Sequence, residues 1–307
     1  MPQYAFFQGK TVPLAEAKIS ILTHGFLYGT ACFEGIRGNC EQGEVYIFRA
    51  ADHYRRLLDS CRILQIELPY SVADLVRITA ELVARCGYHE DVYIRPVAYK
   101  SAEGVGVRLH NLESDLAISV MPYGMPPTVT TGARCCISTW QRIDDNVIPP
   151  RAKITGLYVN SALARSEAMA KGYDEAILLT REGHVSEASG ENVFVVVGGR
   201  LVTPPTFDNI LIGITRDTVM ELAKSELGLA AEERCIDRSE LYLADECFLA
   251  GTLAHLTPVV EVNGRPIGSG QVGAVTQKLQ DLYLRVIRSQ HPRYRHWCTP
   301  VYSRAEG

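Results

Sequence analysis

The chain has 307 residues, nearly half hydrophobic and about a fifth charged, so it can bury a large core and reads as one to three globular domains. Its net charge of -4 gives no footing for a nucleic-acid partner or a bulk membrane surface. No apolar run reaches the length of a membrane span, and Met1-Pro2-Gln3-Tyr4 has neither the basic region nor the apolar core of a secretion signal.

The first fifty residues read as strands. Tyr4 to Phe7 precedes a turn at Gly9-Lys10, and Val45 to Phe48 follows the hairpin turn Glu41-Gln42-Gly43. Leu57, Leu58, Cys61 and Leu64 then recur at helical spacing. Ser71 and Asp74 form a capping box for a second helix that Gly87 stops. Strands are expected over Val92 to Tyr99 and Leu116 to Met121. The proline-rich stretch Pro122-Tyr123-Gly124-Met125-Pro126-Pro127 suits an interdomain connection.

Beyond it, Arg134 to Trp140 reads as a strand, and a helix runs from about Thr155 to Lys171 before Gly172. Short strands follow near Ala176 to Leu179, Val193 to Val197, Leu201 to Thr203 and Cys247 to Ala250. A helix opens at Gly213-Ile214-Thr215 and ends near Leu227, and the last long helix covers about Val272 to Ser289. Strands and helices are interleaved but clustered, which favours an α+β mixed sheet over a doubly wound one. The expected division is a small domain over 1–124, a connection over 125–133 and a larger domain over 134–307.

Nine cysteines are scattered, with no C-x-x-C pair, and Cys135-Cys136 are adjacent. Free thiols in a reducing cytoplasm are the favoured reading. The eight histidines show no metal-binding spacing, so no metal is expected. His291, His296 and Cys298 are read as part of a solvated tail.

Seven lysines are present: Lys10, Lys18, Lys100, Lys153, Lys171, Lys224 and Lys278. Lys153 stands apart, between Pro149-Pro150-Arg151-Ala152 and a helix entrance. An amine flanked by small and apolar residues can lose its proton and attack an aldehyde. Spacing alone still favours a structural lysine. Ser186-Glu187-Ala188-Ser189-Gly190-Glu191-Asn192 reads as a small-residue turn that either faces solvent or sets one carboxylate under a ligand. Gly213, opening a helix, is either a phosphate cradle or an ordinary cap. Gly104-Val105-Gly106 lacks the third glycine of a dinucleotide fingerprint.

In order, Lys153 to Asn192, Thr203-Pro204-Pro205, Gly213-Ile214-Thr215-Arg216-Asp217, Tyr242-Leu243-Ala244-Asp245-Glu246 and Gly251-Thr252 resemble the class IV, fold-type IV pyridoxal-phosphate enzymes. His24-Gly25-Phe26-Leu27-Tyr28-Gly29-Thr30, Phe33-Glu34-Gly35-Ile36-Arg37 and Tyr93-Ile94-Arg95-Pro96 narrow the resemblance to the branched-chain amino acid aminotransferases, from about Phe7 to Ile287. The resemblance implies a two-domain fold, with a smaller N-terminal α/β domain and a larger C-terminal mixed-sheet domain that carries the cofactor lysine.

It also implies roles. Lys153 would hold pyridoxal 5'-phosphate covalently and later shuttle the proton. Tyr158 would lie beside the phenolic oxygen, Glu187 would meet the pyridine nitrogen, and Leu211 would pack on the ring. Arg49, Ile214, Thr215 and Thr252 would bind phosphate. Tyr93, Arg95, Thr252 and Leu253 would hold the substrate carboxylate, and Phe33, Gly35 and Arg37 would line the pocket. Tyr28 and Val107 would reach a neighbouring subunit's site, which implies a homodimer or higher homo-oligomer.

The implied reaction passes amino groups between L-branched-chain amino acids and 2-oxoglutarate. D-amino acid aminotransferases, (R)-amine transaminases and aminodeoxychorismate lyases share the fold, but Tyr93-Ile94-Arg95 favours the branched-chain family. A ligand-binding protein without turnover is disfavoured by Lys153, Tyr158 and Glu187 together. Some members of the family carry a tryptophan and a tyrosine between the domains. Here Pro122 to Pro127 offers Tyr123 and no tryptophan, so this segment departs from the family pattern.

Overall fold

The computed structural model describes residues 3–303. In chain order the elements are β1 (Tyr4–Phe7), β2 (Lys10–Pro13), α1 (His24–Tyr28), β3 (Ala31–Phe33), β4 (Ile36–Glu41), β5 (Glu44–Phe48), α2 (Ala50–Ile63), α3 (Val72–Cys86), β6 (Val92–Lys100) and β7 (Ser114–Pro122). They continue with α4 (Thr128–Thr131), β8 (Ala133–Ile137), α5 (Tyr158–Ala170), β9 (Glu175–Leu179), β10 (Val185–Ala188), β11 (Asn192–Val197), β12 (Arg200–Thr203) and α6 (Ile214–Leu227). The last are β13 (Glu232–Glu233), α7 (Arg238–Leu241), β14 (Glu246–Gly251), β15 (His255–Val262), β16 (Arg265–Pro266), α8 (Ala274–Ile287) and β17 (Cys298–Pro300).

Two compact units result. The first takes the described residues up to Gly124, then Ala152–Gly156, then those from Arg285 on; the second takes Met125–Arg151 and Leu157–Leu284. In this division Lys153, which the expected division puts in the larger domain, falls in the first unit. The physical reason is local pairing. The Phe33 N–H donates to the Lys153 carbonyl at 3.0 Å, Cys32 pairs antiparallel with Ile154, and the Thr155 hydroxyl donates to the Gly29 carbonyl at 2.8 Å.

The first unit's sheet runs β17-β5-β4-β6-β7-β1-β2, with β3 also on β6, and all its pairs are antiparallel. Gln42 and Gly43, at φ 51° and 85°, make the tight β4–β5 turn, the left-handed pair that a two-residue hairpin needs. On α3 the capping box forms, and Gly87 closes the helix at φ 71°. The expectation of strands throughout the first fifty residues misses α1. Five residues are too few to show a period, and the helix is set by Gly29 at φ 67° and a 2.7 Å hydrogen bond between His24 Nδ1 and Thr30 Oγ1. The tail is likewise not a solvated end. Cys298 is buried, and β17 pairs with β5.

The second unit's sheet runs β10-β9-β8-β15-β14-β11-β12-β13 and is mixed, with parallel pairs at β8–β9, β8–β15 and β12–β13. Both its faces are covered. Cys135, Ile137 and Ile177 join one buried cluster, and Cys136, Ala176 and Leu178 join another. That alternation sends the adjacent Cys135 and Cys136 to opposite faces. The strand expected to reach Trp140 stops at Ile137, because the Glu167 carboxylate takes the Ser138 hydroxyl at 2.7 Å and the Thr139 N–H at 3.0 Å. The stretch read as a turn from Ser186 is in fact strand β10, and only Ser189, Gly190 and Glu191 form the bend into β11. Among the described residues, no helix is long and apolar enough to cross a membrane.

Candidate active site

In the first unit, Lys153 is fixed through its backbone. Its N–H donates to Ser60 Oγ at 3.1 Å, and its carbonyl accepts from Phe33. Its Nζ lies 5.0 Å from the centre of the Phe33 ring, and the Arg95 guanidinium stands 4.3 Å from the same centre and 5.0 Å from the Tyr93 ring. A positive group over an aromatic face is attracted by the ring quadrupole. One ring thus gathers an amine and a guanidinium. Gly35 leaves room for Tyr93, since a Cβ at this position would meet the Tyr93 hydroxyl oxygen at 2.4 Å.

Next to Phe33 in the chain, Glu34 is fully buried. It accepts from Arg56 Nε at 2.7 Å and Nη2 at 2.8 Å, and it pairs with His53 Nδ1 at 2.7 Å. Burial pushes the Glu34 carboxyl up, but Arg56 and His53 outweigh it and hold the acid below the usual carboxylate range. Burial lowers His53 as well, against the pull of the Glu34 carboxylate. Lys100 is the most deeply buried alternative amine, 2% exposed, but it donates to the Gln65 carbonyl and also contacts Leu112 O and Ser114 Oγ.

Arg37 is buried and turned to Asp91 at 3.5 Å and the Gly124 carbonyl at 3.3 Å, with its guanidinium 5.3 Å from the Tyr123 ring centre. Arg49 caps α2 in a left-handed conformation, φ 48°. It contacts Asp52 at 2.6 Å and stands 5.1 Å from the Trp297 ring. The Tyr28 hydroxyl accepts from Gly106 N–H at 3.0 Å, and His24 Nε2 meets Gly106 O at 2.7 Å, so α1 holds the loop that bears the 81% exposed Val107.

In the second unit, Glu187 on β10 is 5% exposed and gripped at both oxygens. Arg142 meets Oε1 at 2.6 Å, while Asn192 Nδ2 and the Leu211 N–H donate to Oε2 at 3.0 and 2.9 Å. Asn192 also donates to the Leu211 carbonyl at 2.9 Å, which ties the Leu211 loop to the strand. A Cβ on Gly213 would lie 2.0 Å from Asn192 Oδ1, so any larger residue where α6 begins must displace the Asn192 side chain. Ile214 and Thr215 form the first turn of α6, and Tyr158 opens α5. Thr252 and Leu253 lie in the β14–β15 turn, next to Gly251, where a Cβ would meet Glu191 at 2.8 Å.

The two glutamates of the motif differ in surroundings. Burial and the Glu175 carboxylate push the Glu191 carboxyl up to about 8, against the pull of Arg165. Arg142, Asn192, Glu34, His53 and Arg56 received no role from the sequence. Glu34 and Asn192 lie inside quoted motifs and could have been found there, whereas Arg142 carries no local signal.

The family model for amino-transferase class IV matches residues 31–262. A probable branched-chain-amino-acid aminotransferase of Aquifex aeolicus is 49% identical over 98% of this chain and 97% of its own length. The branched-chain aminotransferase of Thermoproteus uzoniensis, crystallised with norvaline, superposes with a TM-score of 0.95 at 42% identity over 98% of this chain and 100% of its own. The T.th. branched-chain amino acid aminotransferase, complexed with N-(5'-phosphopyridoxyl)-L-glutamate, gives 0.93 at 40% identity over 98% and 99%. The same enzyme has been crystallised with 4-methylvaleric acid. With a family match over most of its length and relatives this similar end to end, the chain belongs to the class IV aminotransferases, among the pyridoxal-phosphate-dependent branched-chain amino acid aminotransferases.

Proposed function

We propose that the chain moves the amino group between L-leucine, L-isoleucine or L-valine and 2-oxoglutarate in two half-reactions, with Lys153 as the residue that carries the cofactor. The observation that carries this reading is the shared Phe33 ring, with the Lys153 amine and the Arg95 guanidinium both over it. Amine chemistry at the α-carbon needs a nucleophilic nitrogen near a cation that can clamp the substrate carboxylate. The glutamate adduct and the branched aliphatic acid bound by the T.th. enzyme support a site that accepts both acidic and apolar side chains.

The residues suit pyridoxal phosphate. Gly213 opens α6, and a helix N-terminus favours a phosphate. We assign phosphate contacts to Arg49, Ile214, Thr215 and Thr252, ring packing to Leu211 and the phenolic side to Tyr158. When bound, the cofactor supplies an electron sink for the charge left on the α-carbon. Lys153 Nζ takes the Cα proton. Glu187, oriented by Arg142, Asn192 and Leu211, holds a proton on the ring nitrogen, because a nearby anion favours the charged form. Tyr93, Arg95 and the backbone of Thr252 and Leu253 orient the carboxylate. Phe33, Gly35 and Arg37 shape the pocket. Tyr28 and Val107 serve a neighbouring copy in a homo-oligomer, and nine unbridged cysteines suit a reducing cytoplasm.

Borohydride reduction followed by peptide mapping tests the assignment. The cofactor should be fixed to the peptide containing Lys153, and Lys153→Ala should lose nearly all turnover. Trapping on the Lys100 or Lys171 peptide would overturn it. A coupled assay on L-leucine, D-alanine and an (R)-amine should respond to L-leucine with 2-oxoglutarate.

A further inference from the structure

On the second unit, three segments distant in sequence bring together His184, Asp208 and Cys235, none of which is assigned a role toward the cofactor. Their backbones are fixed independently of these side chains. The Val185 N–H donates to the Ile236 carbonyl at 2.8 Å, and His184 pairs antiparallel with Asp237, so His184 stands beside the 235–237 segment. The Asp208 carbonyl accepts from Ser186 Oγ at 2.6 Å, and the Asp208 N–H donates to the Pro205 carbonyl at 3.1 Å. One oxygen, Asp208 Oδ1, lies 3.6 Å from Cys235 Sγ and 3.9 Å from His184 Nδ1, and the three ligand atoms lie within 4.8 Å of one another.

A second observation points to a ligand. Asp208 is only 5% exposed, and its other oxygen, Oδ2, is buried without a hydrogen-bond partner. A buried carboxylate oxygen left unsatisfied is costly, and a cation bound at this carboxylate would relieve part of that cost by drawing charge from both of its oxygens. The three residues line a cleft of about 460 Å³, with Asp144, Asp145 and Glu182 among its other walls. His184 Nε2 lies 3.8 Å from Asp237 Oδ1, the kind of carboxylate that orients a metal-binding imidazole.

We propose that His184, Asp208 and Cys235 bind one borderline-soft divalent cation of the zinc class, with the cleft side left for water as a fourth ligand. Around tetrahedral zinc, sulfur–oxygen and nitrogen–oxygen edges come to roughly 3.6 and 3.3 Å. The thiol–carboxylate distance already matches, while the His184 nitrogen, 3.9 Å from Asp208 Oδ1, would have to come about 0.6 Å nearer that oxygen, which a rotation of the partly exposed ring would supply. A thiolate, an imidazole and a carboxylate together favour zinc over magnesium or calcium. The cation would pin the loop whose Asn209 carbonyl accepts from Arg142 at 3.1 Å and whose Leu211 donates to Glu187. The binding claim itself does not depend on the role assigned to Glu187.

The test uses chelator-stripped holoenzyme titrated with zinc against a chromophoric chelator. One equivalent per chain should bind, raise the thermal midpoint and show in X-ray absorption one sulfur at about 2.3 Å with lighter atoms near 2.0 Å. Cobalt in place of zinc should give the visible bands of a tetrahedral centre. Cys235→Ser, close in volume, should remove the sulfur and weaken binding at least tenfold while turnover of the stripped enzyme stays unchanged. His184→Ala should also weaken it tenfold. Absence of binding, or identical binding by Cys235→Ser, would overturn the proposal.

Discussion

Glu187 and Glu34 are both buried carboxylates, and their neighbours give them different work. Glu187 meets a guanidinium, an amide and a backbone N–H, so its direction is fixed. On the proposed reading, Glu187→Gln keeps the fold and the bound cofactor but slows Cα-proton removal about a hundredfold, roughly 2.7 kcal/mol of barrier. Single-turnover kinetics with L-leucine and its Cα-deuterated form measure that step, and a near-normal rate would exclude the role. Glu34 contributes to stability instead. Its acid is held below its ordinary value of 4.5, so the stabilisation is present above that pH and is lost as pH falls toward the folded-state value. Glu34→Gln leaves Arg56 without its partner carboxylate and should cost about 3–5 kcal/mol near pH 7. Urea unfolding at several pH values should show the difference between wild type and variant narrowing below about 4.5.

At the scale of elements, the entrance of α6 and the strand pair β10–β11 act as one piece, because Asn192 touches Glu187, Leu211 and the space above Gly213. Gly213→Ala must push Asn192 aside, since its new Cβ would lie 2.0 Å from Oδ1. The expected result is at least a tenfold loss of cofactor affinity, followed by absorbance titration of the stripped protein, with secondary structure retained. Local features of this kind were readable from sequence where the cause is local. The Gln42-Gly43 turn and the Ser71–Asp74 box each depend on residues within a few positions of one another. Features with distant causes were not. Ser186 to Ala188 looks like a turn because Ser186, Ala188, Ser189 and Gly190 are small. It is a strand buried on both sides, so it lacks the alternation that marks a half-exposed one. Arg142 gives no sign that it will meet Glu187, forty-five positions on, and His184, Asp208 and Cys235 have no spacing that a metal motif would reveal. Pro258, inside β15, hides a central strand. It is tolerated because pairing with β8 begins only at Val259.

For the whole molecule, the first unit carries a set of exposed apolar side chains that one copy leaves in water. Ile21, Phe26, Val105 and Val107 are 76, 64, 89 and 81% exposed, and their segments are joined by hydrogen bonds from Gly104 N–H to Leu22 O and from His24 N–H to Ala102 O. Grouped exposure of this kind marks a contact surface. The active species should therefore sediment as a closed homo-oligomer of at least two copies, and Ile21→Glu should shift it toward monomer with loss of activity. Full activity in a monomer would remove the role given to Tyr28 and Val107.

The pairing of β17 with β5 also sets a clock on biosynthesis. The outer edge of β5, and the Glu44 carboxylate that takes the Val301 N–H from 257 residues away, stay open until residues 298–301 leave the ribosome. At roughly 5–20 residues per second, that interval is about 13 to 50 s. For that time a nascent chain exposes an unpaired strand edge, the surface on which neighbouring polypeptides add and aggregates begin. Slower translation over the last third of the message would lengthen the exposure, and holding chaperones that bind early should raise the yield of folded protein more than those that act after release.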